Sequence, residues 1–403
     1  MLRTLREKHV VLGVAGSIAA YKALYLTRLL LDAKARVYPV LTRAATRFVG
    51  PLSFSVLAGE RAITDLWSAA ENGEVGHVEL AHRADALVIA PASADLIARL
   101  ALGRADEPLT AVALATRAPL VIAPAMESGM WEHPATKEHV ATLADRGAHF
   151  VWPESGDLAS GRIGIGRLAE PEVIIERIAE LFAGADCKGE RILVTAGPTR
   201  EAFDPARFLS NASSGKMGYA IARAARMRGA DVRLVSGPTQ IAPPPGMLVE
   251  RVETTEQMLE ACQRHIEWSS ALVMAAAPAD FTPRDHSRDK LKKGPGDLTV
   301  VLKRTPDILM TLKARSGGRI VVAFAAESRD VLGYAREKLA RKDVDMVVAN
   351  DINEPGAGFA SDTNRVDILD RAGQHTALPS LDKDDVAWAI MDHVLRLRRA
   401  KSA

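Results

Sequence analysis

Short apolar runs recur along the chain, and most are followed by a stretch with helical spacing. HVVLGVAGS, from residue 9, leads into IAAYKALYLTRLLLDAKA, where Ala20, Leu24, Thr27 and Leu31 form the stripe expected to pack on a sheet. ALVIAPASAD and APLVIAPAM are two further runs with β-branched cores, and HFVWP follows them. At AGADCKGE, residues 183–190, small and charged residues break the pattern and read as a linker. The logic then restarts. RILVTAGPT, DVRLVSGPT, ALVMAAAPAD, RIVVAFAAE and DMVVANDI are strand candidates, with YAIARAARMRGA, TEQMLEACQRHIEW and YAREKLARKD as intervening helices. IAPPPGM is a Pro-rich surface loop, NRVDILDRAGQHTALP a late hairpin, and a final helix runs from about Asp382 to Arg399. The alternation predicts an α/β chain with two doubly wound, mainly parallel Rossmann-like sheets in tandem, over residues 1–182 and 191–403.

Composition narrows this picture. A chain of 403 residues holds two or three domains. Lys plus Arg number 52 against 50 Asp plus Glu, so no global basic field points to nucleic acid and any anion site has to be local. Cys187 and Cys262 supply neither a disulfide framework nor a zinc quartet, which predicts a reducing, cytoplasmic setting. The charged start (Arg3, Arg6, Glu7, Lys8) precedes an apolar run that meets Gly-Val-Ala-Gly-Ser, which predicts a buried strand rather than a signal peptide. No apolar run approaches the roughly 18 residues of a membrane helix, so no membrane partner is expected.

Candidate chemistry sits at strand ends. The first strand ends in Gly13, Gly16 and Ser17 and runs into a helix, where backbone N–H groups can meet a phosphate. The spacing is not G-x-G-x-x-G, and a plain tight turn is an equal alternative. Ser93 and Met126 follow two further strands, at the edge where open α/β sheets bind ligands. His77, between ENGEVG and VELAHRADALVIAP, falls at a loop-to-helix junction above that edge, with a structural histidine as the plain alternative. In the second half a strand ends in Gly197-Pro198-Thr199 and SSGKMG opens a helix. The Gly215–Lys216 pair lacks the P-loop spacing and the following Ser/Thr, so it reads as a phosphate-friendly helix start. Asp280 follows an apolar strand, and DKLKKG brings Lys290, Lys292 and Lys293 into a loop that could equally be only solvated. Pro306 and Asp307 stand at a helix start whose N–H groups could face a triphosphate.

Taken in order, GVAGSIAAYK, GHVELA, PASAD, PAMESGMW and SGRIGIGRL resemble the flavin-containing cysteine decarboxylases over roughly residues 8–180. The resemblance implies a flavodoxin-like domain with the FMN phosphate near Gly16, Ser17, Thr42 and Ser93, and Met126 in the cofactor's surroundings. It also implies a trimer with the flavin at subunit contacts. The implied substrate is a peptide-like amide ending in cysteine, oxidised at its thiol-bearing carbon and then decarboxylated, with His77 as base. A thioaldehyde beside the carboxyl-bearing carbon is the electron sink. Two departures stand out. Glu127 replaces the family Asn that holds the substrate carboxylate, a like-charge encounter that could cost about 2–4 kcal/mol in a poorly solvated pocket. Ser160, in LASGRIGIGRL, replaces the Cys that donates a proton, and its hydroxyl is a far weaker acid than a thiol of pKa about 8.5.

From residue 188 to about 400, the set TAGPTRE, SSGKMG, AAAPADF, DKLKKG, PDI, FAAE and ANDI resembles phosphopantothenate–cysteine ligase, with no departure found. The resemblance implies CTP and Mg²⁺, attack of the 4'-phosphopantothenate carboxylate on the α-phosphate, and an acyl-cytidylate trapped by the cysteine amine. It implies that Asn211 stabilises the acyl intermediate, that Lys290 binds CTP as leaving-group charge develops, and that Asp280 serves the ribose hydroxyls or the metal. Ala276, Pro306, Asp307, Ile308, Leu309, Phe324, Lys338 and Lys342 match the rest of the CTP shell. Arg207 and Phe208 match residues that clamp phosphopantothenate, across a dimer contact. The whole chain therefore resembles the bifunctional synthetase/decarboxylases that make 4'-phosphopantetheine: decarboxylase domain 1–182, linker 183–190, ligase domain 191–403, assembled as trimers through one half and dimers through the other. Two alternatives stay open: a ligase whose flavin half is a scaffold, because of Glu127 and Ser160, and a flavin-binding regulatory protein.

Overall fold

A computed structural model describes residues 2–66, 76–293, 297–315, 317–327, 329–351, 353–354, 358 and 361–402. Residues 71–75 of ENGEVG, Gly294 of DKLKKG and Ile352 at the end of DMVVANDI lie outside the described residues. The chain divides into two compact units, Met1–Ala183 and Gly184–Ala403.

Among the described residues of the first unit, β1 (His9–Val14), β2 (Arg36–Leu41), β3 (Ala86–Ala92), β4 (Leu120–Pro124) and β5 (His149–Phe150) form one parallel sheet in the order β2-β1-β3-β4-β5. β1 to β4 are almost wholly buried and rich in Val, Ile and Leu, as strands are when helices cover both faces. The helices are α1 (Lys22–Asp32), α2 (Pro51–Ala58), α3 (Gly76–Arg83), α4 (Ala94–Ala101), α5 (Pro108–Ala115), α6 (Ser128–Glu132), α7 (Pro134–Asp145) and α8 (Pro171–Leu181). SGRIGIGRL lies on an antiparallel hairpin, β6 (Glu154–Asp157) and β7 (Ile163–Arg167). The first helix corrects the expected stripe. Ala20 is buried, but in a 3₁₀ turn, and the buried face of α1 is Ala23, Leu26, Thr27 and Leu30, while Leu24 and Leu31 are only half-buried. Leucines at 24, 26, 29, 30 and 31 offer two neighbouring stripes, and the tighter turn at Ile18–Tyr21 decides the phase.

In the second unit the described strands are β8 (Arg191–Ala196), β9 (Arg200–Asp204), β10 (Arg207–Ser210), β11 (Asp231–Ser236), β12 (Leu248–Arg251), β13 (Ala271–Met274), β14 (Phe281–Pro283), β15 (Leu302–Arg304), β16 (Ile320–Glu327), β17 (Met346–Asp351), β18 (Thr363–Asn364), β19 (Asp367–Asp370), β20 (His375–Ala377) and β21 (Leu381–Asp382). Eight of them form a sheet in the order β12-β11-β8-β13-β16-β17-β19-β20, parallel as far as β17 and antiparallel beyond it. β9–β10, β14–β15 and β18–β21 are separate antiparallel pairs. The helices are α9 (Lys216–Met227), α10 (Thr255–Ile266), α11 (Ile308–Lys313), α12 (Val331–Lys342) and α13 (Lys383–Ser402). One core joins α9 and α13 to the sheet through Tyr219, Ile221, Val386 and Ile390, and another joins α10, α11 and α12 through Met258, Leu312 and Ala335. α9 lies close because Gly218 carries no side chain: a Cβ there would stand 2.6 Å from the Ala196 Cβ and 2.8 Å from the Thr195 carbonyl oxygen. Among the described residues, no helix is long and apolar enough to cross a membrane.

Candidate functional site

Of the sequence-selected residues of the first unit, Gly16, Ser17, Thr42, Ser93 and Met126 follow β1 to β4 and so stand at the carboxyl edge of its sheet. Gly16 follows β1, and a Cβ on it would stand 2.5 Å from the Ala44 Cβ, so only glycine lets these two loops meet. Ser17 caps the turn before α1, its Oγ accepting from the Ala19 N–H at 3.3 Å. Ser93 caps α4 in the same way, accepting from the Leu96 N–H at 3.3 Å. Thr42, after β2, is buried, and its Oγ1 accepts from the Ala45 N–H at 3.1 Å. Met126 follows β4 and donates its N–H to the Gly166 carbonyl at 3.0 Å, which ties the hairpin to PAMESGMW. Gly166 has φ 144, and a Cβ on it would collide with the Met126 carbonyl oxygen. Beyond the hairpin, Glu170 binds Lys22 at 3.0 Å and also Arg167. Burial raises its carboxyl, but these two cations outweigh that and hold it below the usual range.

His77 is the second residue of α3, half-buried, and its Nδ1 is shielded from solvent with no hydrogen-bond partner among the described residues. A shielded ring nitrogen without a partner is costly unless something else meets it. Glu127 caps α6 through its backbone, whose carbonyl accepts from Met130 and Trp131 at 3.0 Å, while its carboxylate makes no cap bond. Ser160 sits at the exposed hairpin tip, its Oγ 3.4 Å from the Arg162 N–H. Both cysteines are buried in the second unit, and burial pushes each thiol up to about 12.

In the second unit a cavity of about 850 Å³ opens at the carboxyl edge of the sheet. Of the sequence-selected residues, Asn211, Ala276, Asp280, Pro306, Asp307, Ile308, Leu309, Phe324, Lys338 and Lys342 all line it. The β13 loop is fixed from beneath: the Ala276 N–H donates to Thr195 Oγ1 at 3.1 Å, the Ala279 N–H to Thr199 Oγ1 at 2.9 Å, and Thr255 Oγ1 to Glu201 at 2.8 Å. Asn211 Nδ2 donates to the Ala277 and Pro278 carbonyls at 3.1 and 3.0 Å. Asp307 caps α11 by accepting from the Met310 N–H at 3.0 Å and pairs with Lys342. Burial raises the Asp307 carboxyl, but the Lys342 ammonium and the Met310 N–H prevail and keep it low. Lys338 donates to the Phe324 carbonyl at 2.6 Å, and burial lowers its ammonium despite the opposing pull of Glu327.

Arg207, Phe208 and Lys290 are not among the residues lining this cavity. They belong to the β9–β10 hairpin and the loop stitched to it. Asp204 accepts from the Arg207 and Leu291 N–H groups at 2.8 and 3.2 Å, and Arg207 donates to the Leu291 carbonyl at 3.0 Å. The Arg200 guanidinium lies 4.5 Å from the Phe208 ring centre. Asn350, from the ANDI motif, lines the cavity as well, and so do Arg304, Asn364 and Lys383, which were not singled out. No local motif announces the last three; Asn364 and Lys383 enter through the short β18–β21 pair and the start of α13.

Comparison with known families gives two matches. Residues 1–183 match the family model described as Flavoprotein, and residues 187–397 match the DNA/pantothenate metabolism flavoprotein C-terminal domain. The chain is 43% identical over 399 residues to the coenzyme A biosynthesis bifunctional protein CoaBC of Bacillus subtilis, covering 98% of each chain. It is 44% identical over 406 residues to the protein of that name from Mycobacterium tuberculosis H37Rv, covering 96% of each. A solved C-terminal domain of a coenzyme A biosynthesis bifunctional protein CoaBC aligns with TM-score 0.47 and 38% identity, over 54% of this chain and 100% of that one.

Proposed function

The chain belongs to the family of bifunctional coenzyme A biosynthesis proteins, and from that membership we propose that it makes 4'-phosphopantetheine in two steps, one in each unit. The second unit ligates 4'-phosphopantothenate to cysteine with CTP. The first, a flavoprotein decarboxylase, removes the carboxylate of the product.

The observation that carries the ligase reading is the gathering of Asn211, Asp280, Asp307, Lys338 and Lys342 in one cavity. Lys338 and Lys342, with Phe324 and residues 306–309, hold the nucleotide. Asp280 serves its ribose hydroxyls or an Mg²⁺ that the phosphates mainly hold, which suits a cation that binds through few carboxylates. Among the described residues no three His, Cys, Asp or Glu gather to hold a metal themselves. Asn211 donates to the acyl centre, and Lys290, Arg207 and Phe208 act from the hairpin and its loop.

In the first unit FMN suits what is present: a loop contact that a Cβ would fill at Gly16, capped helix starts at Ser17 and Ser93, and a shielded histidine nitrogen. Gly16, Ser17, Thr42 and Ser93 hold its phosphate, and Met126 borders it. When bound, FMN supplies the oxidation that makes the cysteine side chain an electron sink, and the later reduction. His77 takes a proton at Nδ1. Glu127 meets the substrate carboxylate, and Ser160, or a water that it holds, returns the proton. The partners are small molecules and further copies of the chain, in the cytoplasm. On α1, α2 and the turns that precede them, the large apolar residues Ile18, Tyr21, Tyr25, Phe48, Leu52 and Val56 are exposed, which supports self-association of this unit as a trimer. Leu52→Glu combined with Val56→Glu is expected to yield smaller species by light scattering and to lower flavin retention.

The deciding experiment supplies phosphopantothenoylcysteine without CTP and follows carbon dioxide and phosphopantetheine. Both together support the two-step reading. A second reading, in which only ligation runs to completion, is favoured by Ser160 at the flap tip with both cysteines buried in the other unit. It predicts flavin binding with no phosphopantetheine formed.

A further inference from the structure

The β6–β7 hairpin meets the rest of the first unit along β7 and at its foot. Along β7, Met126 donates its N–H to the Gly166 carbonyl, and two glycines let the strand lie close on PAMESGMW: a Cβ at Gly164 would collide with Ser128 Oγ, and one at Gly166 with the Met126 carbonyl oxygen. At the foot, Arg167 ends β7 opposite Glu154, and its side chain runs back across β6, where a Cβ on Gly156 would stand 3.3 Å from Arg167 Cδ and Nη1. Its guanidinium then meets Glu170. Leu168 and Ala169, between the two, are buried, and Pro171 opens α8, so the chain is fixed on the far side of Arg167.

Glu170 stands at the N-cap of α8, where a carboxylate ordinarily accepts from the first N–H groups of the helix. Its backbone carbonyl accepts from Val173 and Ile174 at 2.9 and 3.2 Å, but the side chain makes no cap bond among the described residues. The carboxylate turns instead between two cations, Arg167 of the hairpin and Lys22, whose Nζ lies 3.0 Å from both carboxylate oxygens. The Lys22 side chain is only 13% exposed and begins α1, directly after the turn that Ser17 caps. Burial raises the Glu170 carboxyl, and Lys22 and Arg167 more than reverse this, so it keeps its charge. A charge-assisted contact gripped from two elements is stronger than an isolated surface pair.

We infer that Glu170 is a positioning residue of the first unit: by joining Arg167 to Lys22 it pins the foot of the hairpin to the start of α1, and so sets the hairpin's place on the PAMESGMW loop. This deepens the decarboxylase reading and rests on it, since the hairpin bears Ser160 and the loop bears Glu127. Glu170 itself acts only through Arg167. A loosened foot leaves the strand contact at Met126 and Gly166 to hold the hairpin alone, and the substrate is then enclosed for a smaller share of the time.

Trypsin is the first probe, because Arg162 and Ile163 are exposed at the hairpin tip whereas Leu168, after Arg167, is buried. In the flavin-loaded full chain, Glu170→Gln is expected to speed cleavage after Arg162 about threefold to tenfold, since attack follows the population of the opened hairpin. Adding Arg167→Gln to it is expected to change that rate by less than about twofold, because both remove the same contact. With phosphopantothenoylcysteine, Glu170→Gln is expected to raise KM about threefold to tenfold and to leave kcat within about twofold, at unchanged flavin content. Glu170→Asp is expected to recover part of both effects. Cleavage and KM at wild-type values in folded Glu170→Gln overturn the inference. So does activity that falls only with lost flavin or a lowered melting temperature, which would make Glu170 part of the scaffold alone. Wild-type protein that does not decarboxylate phosphopantothenoylcysteine, while Glu170→Gln still speeds cleavage, would overturn the decarboxylase reading and leave the anchor standing.

Discussion

Asn211→Ala is expected to cut steady amide formation about 10²–10³-fold while the first pyrophosphate is still released, so that the acyl-cytidylate accumulates. The position of the side chain gives this prediction its shape. Its Nδ2 reaches the Ala277 and Pro278 carbonyls, between Ala276 and Asp280, so the amide stands where the β13 loop meets the cavity. On the proposed role, alanine removes a donor that swings from these carbonyls to the acyl centre, and it leaves the two carbonyls without their present partner. The two consequences separate in a quench experiment. Loss of the donor stalls the second chemical step and leaves the adduct in place. Loss of the loop's position also weakens the first step and reduces pyrophosphate release. Product formation at the wild-type rate would end any catalytic assignment for Asn211, and loss of both steps together would make it a residue that positions the loop.

The fold was legible where the chain repeats a simple period. β1, β3, β4, β8, β11, β13, β16 and β17 all fall on apolar runs picked out in the sequence, because a strand covered on both faces carries a nearly continuous apolar run. The pairs β9–β10 and β14–β15 were not legible. Phe208, Phe281 and Leu302 on them are exposed, so burial imposes no pattern there, and their pairing answers to loop chemistry such as the Asp204 carboxylate gripping two backbone N–H groups. The phase of α1 was misread for a related reason: several adjacent leucines make more than one apolar stripe, and the preceding 3₁₀ turn selects between them.

The site divides in the same way. Residues 306–309 and 276–280 follow strands or open helices in contiguous motifs, and the sheet brings them together as open α/β sheets do at their carboxyl edge. Asp307 and Lys342 pair across 35 positions because α11 and α12 pack on one face. Asn364 and Lys383 had no comparable signal. Asn364 ends one two-residue strand and Lys383 follows another, and they reach the cavity where α13 returns to cover α9. A lysine ahead of Asp384 and Asp385 reads in sequence as part of a charged helix start, yet folding buries it.

His77→Asn is expected to retain bound flavin, seen in its visible absorption, and to lower carbon dioxide release by about 10²–10⁴-fold. The imidazole is held at the start of α3 with Nδ1 shielded from solvent, and no described group satisfies that atom. A purely structural histidine would bond there, since a buried polar atom left alone costs stability and gains nothing. On the proposed mechanism, this nitrogen takes the substrate proton. Asparagine keeps polarity and much of the volume but cannot accept a proton near neutral pH, so the substitution separates base chemistry from packing. A structural role would instead show as lost flavin and a lowered melting temperature, with activity falling only in proportion to the flavin lost. Normal decarboxylation by a flavin-loaded, fully folded His77→Asn protein would remove His77 from the mechanism. It would also direct attention to Glu127, whose backbone carbonyl caps α6 and leaves its carboxylate outside the cap.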